Sequence, residues 1–151
     1  MMKIKVDYHT IENELKQLVH NWIRAYQTKD IKLMKQILSD NKKSFSFGTG
    51  ADEKIEGLDG MLLQLKRDWS QCEDSTLELL SFRCDNFGES CAWIACEILP
   101  SIKICGQYQS FPPLRATMVT AKENGSYKIV HSHASWPHQN QKPDQSFPRL
   151  K

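Results

Sequence analysis

Apolar residues recur at spacings of three and four from Ile11 through Leu15, Leu18, Val19 and Trp22 to Tyr26, the period of a helix with one buried face. Thr10 stands where an N-cap belongs, and Glu12 and Glu14 follow in the first turn, so the pattern predicts a helix over about 10 to 28. Asp30 then caps a second, shorter helix carried by Ile31, Met34, Ile37 and Leu38 and stopped at Ser39-Asp40-Asn41. Ser44-Phe45-Ser46-Phe47 alternates as a strand does and runs into a flexible loop at Gly48-Thr49-Gly50. Between Gly57 and Gln71, Leu58, Met61, Leu62, Leu65 and Trp69 share one face of a third helix.

Beyond Gln71 the period falls to two. Ser75 to Asn86 and Ser90 to Leu99 read as long strands around Phe87-Gly88-Glu89, and residues 114 to 135 as a hairpin around Asn124-Gly125 that starts after Pro112-Pro113. From Cys91 to Ile98 both alternating sets are apolar except for Glu97, so both faces of that strand should be covered. Three helices can cover one face. A second copy packing sheet to sheet would cover the other, which predicts a homodimer. The order of elements gives an α+β fold: a cone-shaped, curved antiparallel sheet with three N-terminal helices on its concave face. A cavity between the layers would take a small-molecule ligand.

Composition narrows the class. The chain of 151 residues is of single-domain size. Its 20 Lys and Arg against 18 Asp and Glu form no basic stripe, so nucleic acid is not an expected partner. No apolar run approaches the roughly 20 residues of a membrane helix, and the first seven residues lack a secretory pattern, so a cytoplasmic protein with no membrane partner is expected. Cys72, Cys84, Cys91, Cys96 and Cys105 contain no C-x-x-C pair and read as buried reduced thiols. Gly48-Thr49-Gly50 lacks the Lys and Ser/Thr of a phosphate loop, and no cofactor is expected.

The last hairpin is the most distinctive stretch. Arg115-Ala116-Thr117-Met118-Val119, followed by Glu123-Asn124-Gly125-Ser126-Tyr127-Lys128-Ile129-Val130-His131-Ser132-His133-Ala134-Ser135-Trp136-Pro137, resembles the ending of SnoaL-like domains of the nuclear transport factor 2-like superfamily. Its flavour is that of the association (hub) domain of calcium/calmodulin-dependent protein kinase. Phe47-Gly48, Gly57 and Ala92-Trp93 fit the same pattern upstream. The resemblance implies a cystatin-like cone, dimers or larger rings, and a pocket that some members use for isomerisation, cyclisation or dehydration and others for binding or assembly. It divides the chain into an N-terminal extension (1–9), the SnoaL-like domain (10–137) and a flexible tail (138–151). Where the hub carries pocket arginines, this chain has Met118 and Ala134.

His131 and His133 lie two apart on a strand and so share a face, with Ile129 and Ser135 beside them. If Asn124-Gly125 alone is the loop, they oppose Met118 and Ala116. If Glu123-Asn124-Gly125 forms a type I turn with a glycine bulge, they oppose Thr117 and Arg115. The second register is preferred because it puts glycine at the left-handed position. It gathers His131, His133, Arg115, Thr117 and Ser135 into a patch that could hold an anionic or carbonyl-bearing ligand, with either histidine moving a proton. Paired histidines also bond buried backbone or sit at subunit interfaces, and a metal would need a third ligand to which the sequence does not point. Glu97 is a candidate base in an apolar strand or an exposed strand end. Trp22, Tyr26 and Trp69 belong to helices that form the cavity's lid, where an aromatic can be both core and pocket. The functions open are small-molecule binding, acid/base catalysis on a small carbonyl or cyclic substrate, and oligomerisation.

Overall fold

The computed structural model describes residues 8–149; the expectations for residues 1–7 and for the last two positions lie outside the described residues. Three helices, α1 (Tyr8–Gln27), α2 (Ile31–Ile37) and α3 (Gly57–Ser70), interleave with seven strands: β1 (Phe45–Phe47), β2 (Lys54–Glu56), β3 (Asp74–Phe87), β4 (Cys91–Ile104), β5 (Gln107–Ser110), β6 (Leu114–Glu123) and β7 (Ser126–Ser135). α1 already begins at Tyr8, so Thr10 falls in its first turn and not at its cap. Asp30 does cap α2, its carboxylate accepting from the backbone N–H of Lys32 and Leu33 at 3.0 Å each.

One curved, unclosed sheet runs in the order β2-β1-β7-β6-β4-β3, with β5 added to the end of β4. It is antiparallel except where β1 lies parallel to β7. Two features escaped the sequence pattern. β4 does not stop at Leu99 but continues through Pro100 and turns at Cys105-Gly106, both with positive φ, into β5. Pro100 pairs with Leu77 of β3, and its missing N–H falls where β4 changes partner from β6 to β5. The short β2 pairs with β1 and leads straight into α3.

The hairpin of β6 and β7 also departs from both expected registers. Its loop is Asn124-Gly125 alone, both residues at positive φ, and Glu123 pairs with Ser126. A bulge then leaves Val130 unpaired, so that beyond it His131 opposes Val119 and His133 opposes Thr117. The bulge also reverses the alternation: Ile129 is buried, whereas His131 points to the other side, so these two do not share a face.

The core fills the space between the helices and one face of the sheet. Leu15, Leu18, Val19 and Ile23 of α1, Met34 and Ile37 of α2 and Leu65 of α3 meet Ala92, Ile94, Cys96, Ile98, Met118 and Ile129 of the strands. Thr120, fully buried among them, satisfies its hydroxyl by donating to the Ala92 carbonyl at 3.2 Å. The outer set of β4 is only half-buried at Cys91, Trp93, Ala95 and Leu99. Of the cysteines Cys96 alone is buried, its thiol pushed up to about 11 by desolvation, while Cys105 is exposed. Among the described residues no helix is long and apolar enough to cross a membrane.

Candidate functional site

A cavity of about 300 Å³ opens between helices and sheet. Most of its wall is apolar, from Leu77 of β3, Ile98, Pro100 and Ile102 of β4, Ala116 and Met118 of β6 and Ile129 of β7. Phe111 and Trp136 both border it and stack with centroids 5.6 Å apart. The helical wall comes from two regular spacings. Trp22 and Tyr26 are four apart on α1 and stack at 5.3 Å, and Met61, Gln64, Leu65 and Asp68 follow each other on one face of α3.

That wall carries a connected polar cluster. The Tyr26 hydroxyl donates to Asp68 Oδ2 at 3.2 Å, and Gln64 Nε2 donates to Asp68 Oδ1 at 2.8 Å and to Glu53 Oε1 at 3.1 Å. Arg67 spans Glu53 and Asp52 at 2.7 Å each. Glu53 also fastens the β1–β2 loop, accepting from the Gly50 N–H at 2.9 Å. A Cβ on Gly48 would lie 2.0 Å from Glu53 Oε2, so the loop folds this closely only with glycine there. Burial raises the Asp68 carboxyl above the ordinary 3.8 even though the bonds from Gln64 and Tyr26 pull the other way. Burial and the neighbouring Asp68 drive the Tyr26 phenol far up, so it is a proton donor at any ordinary pH.

Of the residues singled out in the sequence, Trp22, Tyr26 and His133 border the cavity, and Arg115, Thr117, His131, Ser135, Trp69 and Glu97 do not. The expected gathering of His131, His133, Arg115, Thr117 and Ser135 does form, but on the sheet face turned away from the helices. On that face Glu97 opposes Arg115 and accepts from the Ser81 hydroxyl at 2.9 Å, while Arg115 donates to the Trp136 carbonyl at 3.3 Å. His131 Nδ1 lies 2.6 Å from the Phe45 carbonyl, and His133 packs on Phe47 with centroids 5.5 Å apart. Trp69 packs on the core beside Tyr26, its Nε1 buried without a partner. At the hub's arginine positions, Met118 and Ala134 give the cavity apolar wall. Among the described residues no cluster of three His, Cys, Asp or Glu side chains suits a metal ion.

Asp68, Gln64 and Glu53 were missed because they flank the apolar stripe of α3 and its preceding loop, where polar residues ordinarily face water. The available signal was Asp68 seven residues after Met61 and three after Leu65, hence on the same face.

Fold and cavity together define a lidded α+β sheet domain. The chain belongs to the SnoaL-like domain family, which matches residues 15–139. No curated protein matches the sequence. Solved structures share the fold at low identity. A nuclear transport factor 2-like superfamily protein from Salmonella enterica is 18% identical with a TM-score of 0.79, covering 90% of this chain and 97% of that one. The association domain of CaMKII from C. elegans is 16% identical with a TM-score of 0.69, covering 85% and 98%. A proposed dehydratase of the NTF2-like family from Streptomyces avermitilis is 14% identical with a TM-score of 0.73, covering 83% and 96%.

Proposed function

We propose that this protein binds a small, largely apolar molecule in the cavity between helices and sheet. The observation that carries the reading is an apolar cavity of about 300 Å³, large enough for a small ligand, with a satisfied polar cluster at Tyr26, Gln64 and Asp68 on one wall. Apolar walls supply affinity and the cluster orients one polar group. The test is titration with N-phenyl-naphthylamine, a neutral dye that brightens in apolar surroundings. Saturable brightening at one dye per chain is expected, lost in Ala134→Phe, whose ring would fill the cavity while circular dichroism confirms the fold. No brightening with the wild-type chain overturns the reading.

A second reading, proton transfer on a small carbonyl or cyclic substrate, is favoured by one observation: the half-buried Asp68 carboxyl, raised by desolvation, borders the cavity beside the Tyr26 hydroxyl. The Asp68 carboxylate then takes the proton from carbon as the electron pair moves onto the carbonyl oxygen, and the Tyr26 hydroxyl, which donates to Asp68 in this structure, turns to that oxyanion; return of the proton from Asp68 completes the exchange. Solvent deuterium exchange into a cyclic ketone measures this. Acceleration lost in Asp68→Asn supports it, His133→Ala tests the imidazole at the rim, and exchange no faster than in buffer rejects it.

The same proposal gives the outer sheet face to a second copy of the chain. Trp93, Val119, Phe45 and Phe47 lie there, with Phe47 40% and Val119 36% exposed. A self-complementary sheet face is a common dimer surface.

A further inference from the structure

The charges around the cavity do not balance. Among the described residues its border includes the carboxylates of Glu53 and Asp68, the imidazole of His133 and no Lys or Arg. Arg67, behind the wall, is already divided between Glu53 and Asp52. Asp68 receives only neutral donors, the Tyr26 hydroxyl and the Gln64 amide, and no described Lys or Arg pairs with it. Two of the three carboxylates thus share one guanidinium, and Asp68, which borders the cavity, feels Arg67 only at a distance and has no cation in contact with it. Burying a carboxylate without a counter-charge is costly, and a cation delivered by the ligand would remove that cost.

The aromatic side chains point the same way. Tyr26 offers its hydroxyl to Asp68 and its ring face to Trp22, and both rings border the cavity. Phe111 and Trp136 add a second stacked pair. Aromatic faces carry negative charge density and attract ammonium groups, most strongly where water is excluded. A carboxylate ligand, by contrast, would meet two carboxylates at the cavity wall, with the His133 imidazole as the one basic side chain among the described lining residues.

Resting on the binding reading above, we infer that the ligand is an amine: an aromatic or cyclic hydrocarbon body filling the apolar walls, with a protonated nitrogen seated against Asp68 beside Trp22 and Tyr26. Neutral molecules of the same shape bind more weakly and carboxylic acids weakest.

Three probes of matched shape separate the outcomes: naphthylmethylamine, naphthylmethanol and naphthoic acid, each titrated by calorimetry. The amine is expected to bind at least about tenfold tighter than the alcohol, and the acid more weakly than either. Asp68→Asn should abolish the preference, leaving amine and alcohol within about twofold of each other. Equal affinity for amine and alcohol, a preference for the acid, or an amine preference that survives in Asp68→Asn overturns the inference and leaves the binding reading standing. Failure of all three probes together with the neutral dye overturns both. If Asp68→Asn does not fold, the wild-type amine-to-alcohol ratio decides alone.

Discussion

At Asp68, burial outweighs two hydrogen bonds, and the consequence reaches the stability of the whole chain. The folded protein holds the Asp68 proton more tightly than the unfolded chain does, because the carboxyl is raised above its ordinary 3.8. Its contribution is therefore fully present below the ordinary carboxylate range and is lost as pH rises through the folded-state value. Asp52 and Asp74, both lowered by hydrogen bonds, from Arg67 and Tyr108 respectively, slope the opposite way. Only a difference between chains isolates Asp68. Thermal midpoints of Asp68→Asn minus wild type, followed from about pH 4 to about pH 8, should become more positive as pH rises. A difference that does not change with pH would show that Asp68 titrates like a surface carboxylate. Trp22 and Tyr26 were legible as a helical pair because their spacing is regular, whereas Asp68 was not, since a polar residue beside an apolar stripe has the same pattern whether it meets water or a cavity.

Among the elements, the hairpin of β6 and β7 shows how far alternation can be read. Its strands and its Asn124-Gly125 turn follow from local residue chemistry, because two consecutive positive φ angles, 52° and 83°, suit Asn and Gly. Its register does not, because the bulge at Val130 moves every later residue by one, and nothing in Ile129-Val130-His131 marks which residue is extra. The bulge therefore sets the histidine pair on the outer face, a choice of face that the sequence leaves open. Similarly, β4 ran through Pro100 because a proline is tolerated where a strand changes partner, a circumstance set by tertiary pairing. The turn itself gives a clean prediction. A side chain at Gly125 would meet nothing within 4 Å, so any cost of substitution there is conformational. Gly125→Val should destabilise by about 1 to 2 kcal/mol in urea unfolding, and Gly125→Asn, which tolerates left-handed backbone, by less. Equal losses for the two would mean that contacts, not backbone angles, hold the turn.

At the scale of the whole molecule, the sheet has two faces and the helices occupy one. The order of elements and the apolar character of both sets in β4 were enough to foresee this division, since neither depends on register. The outer face is half-buried at Trp93 and Phe45 and carries Val119 directly opposite Trp93, with Thr117, His131 and His133 around them. Charged residues, Arg115 with Glu97 and Arg83 opposite Ala95, lie toward its margin. An apolar centre with a charged border is the make-up of a contact between copies. Light scattering should accordingly give a mass about twice the 17.5 kDa of one chain. Val119→Glu would place two like charges in that contact and should shift the mass toward one chain at micromolar concentration. Because Val119 lies on the opposite face from the cavity, the same variant should still brighten the neutral dye, which separates loss of assembly from loss of fold. A wild-type mass of one chain would remove the second copy from the proposal and leave the cavity between helices and sheet as the site of the proposed binding.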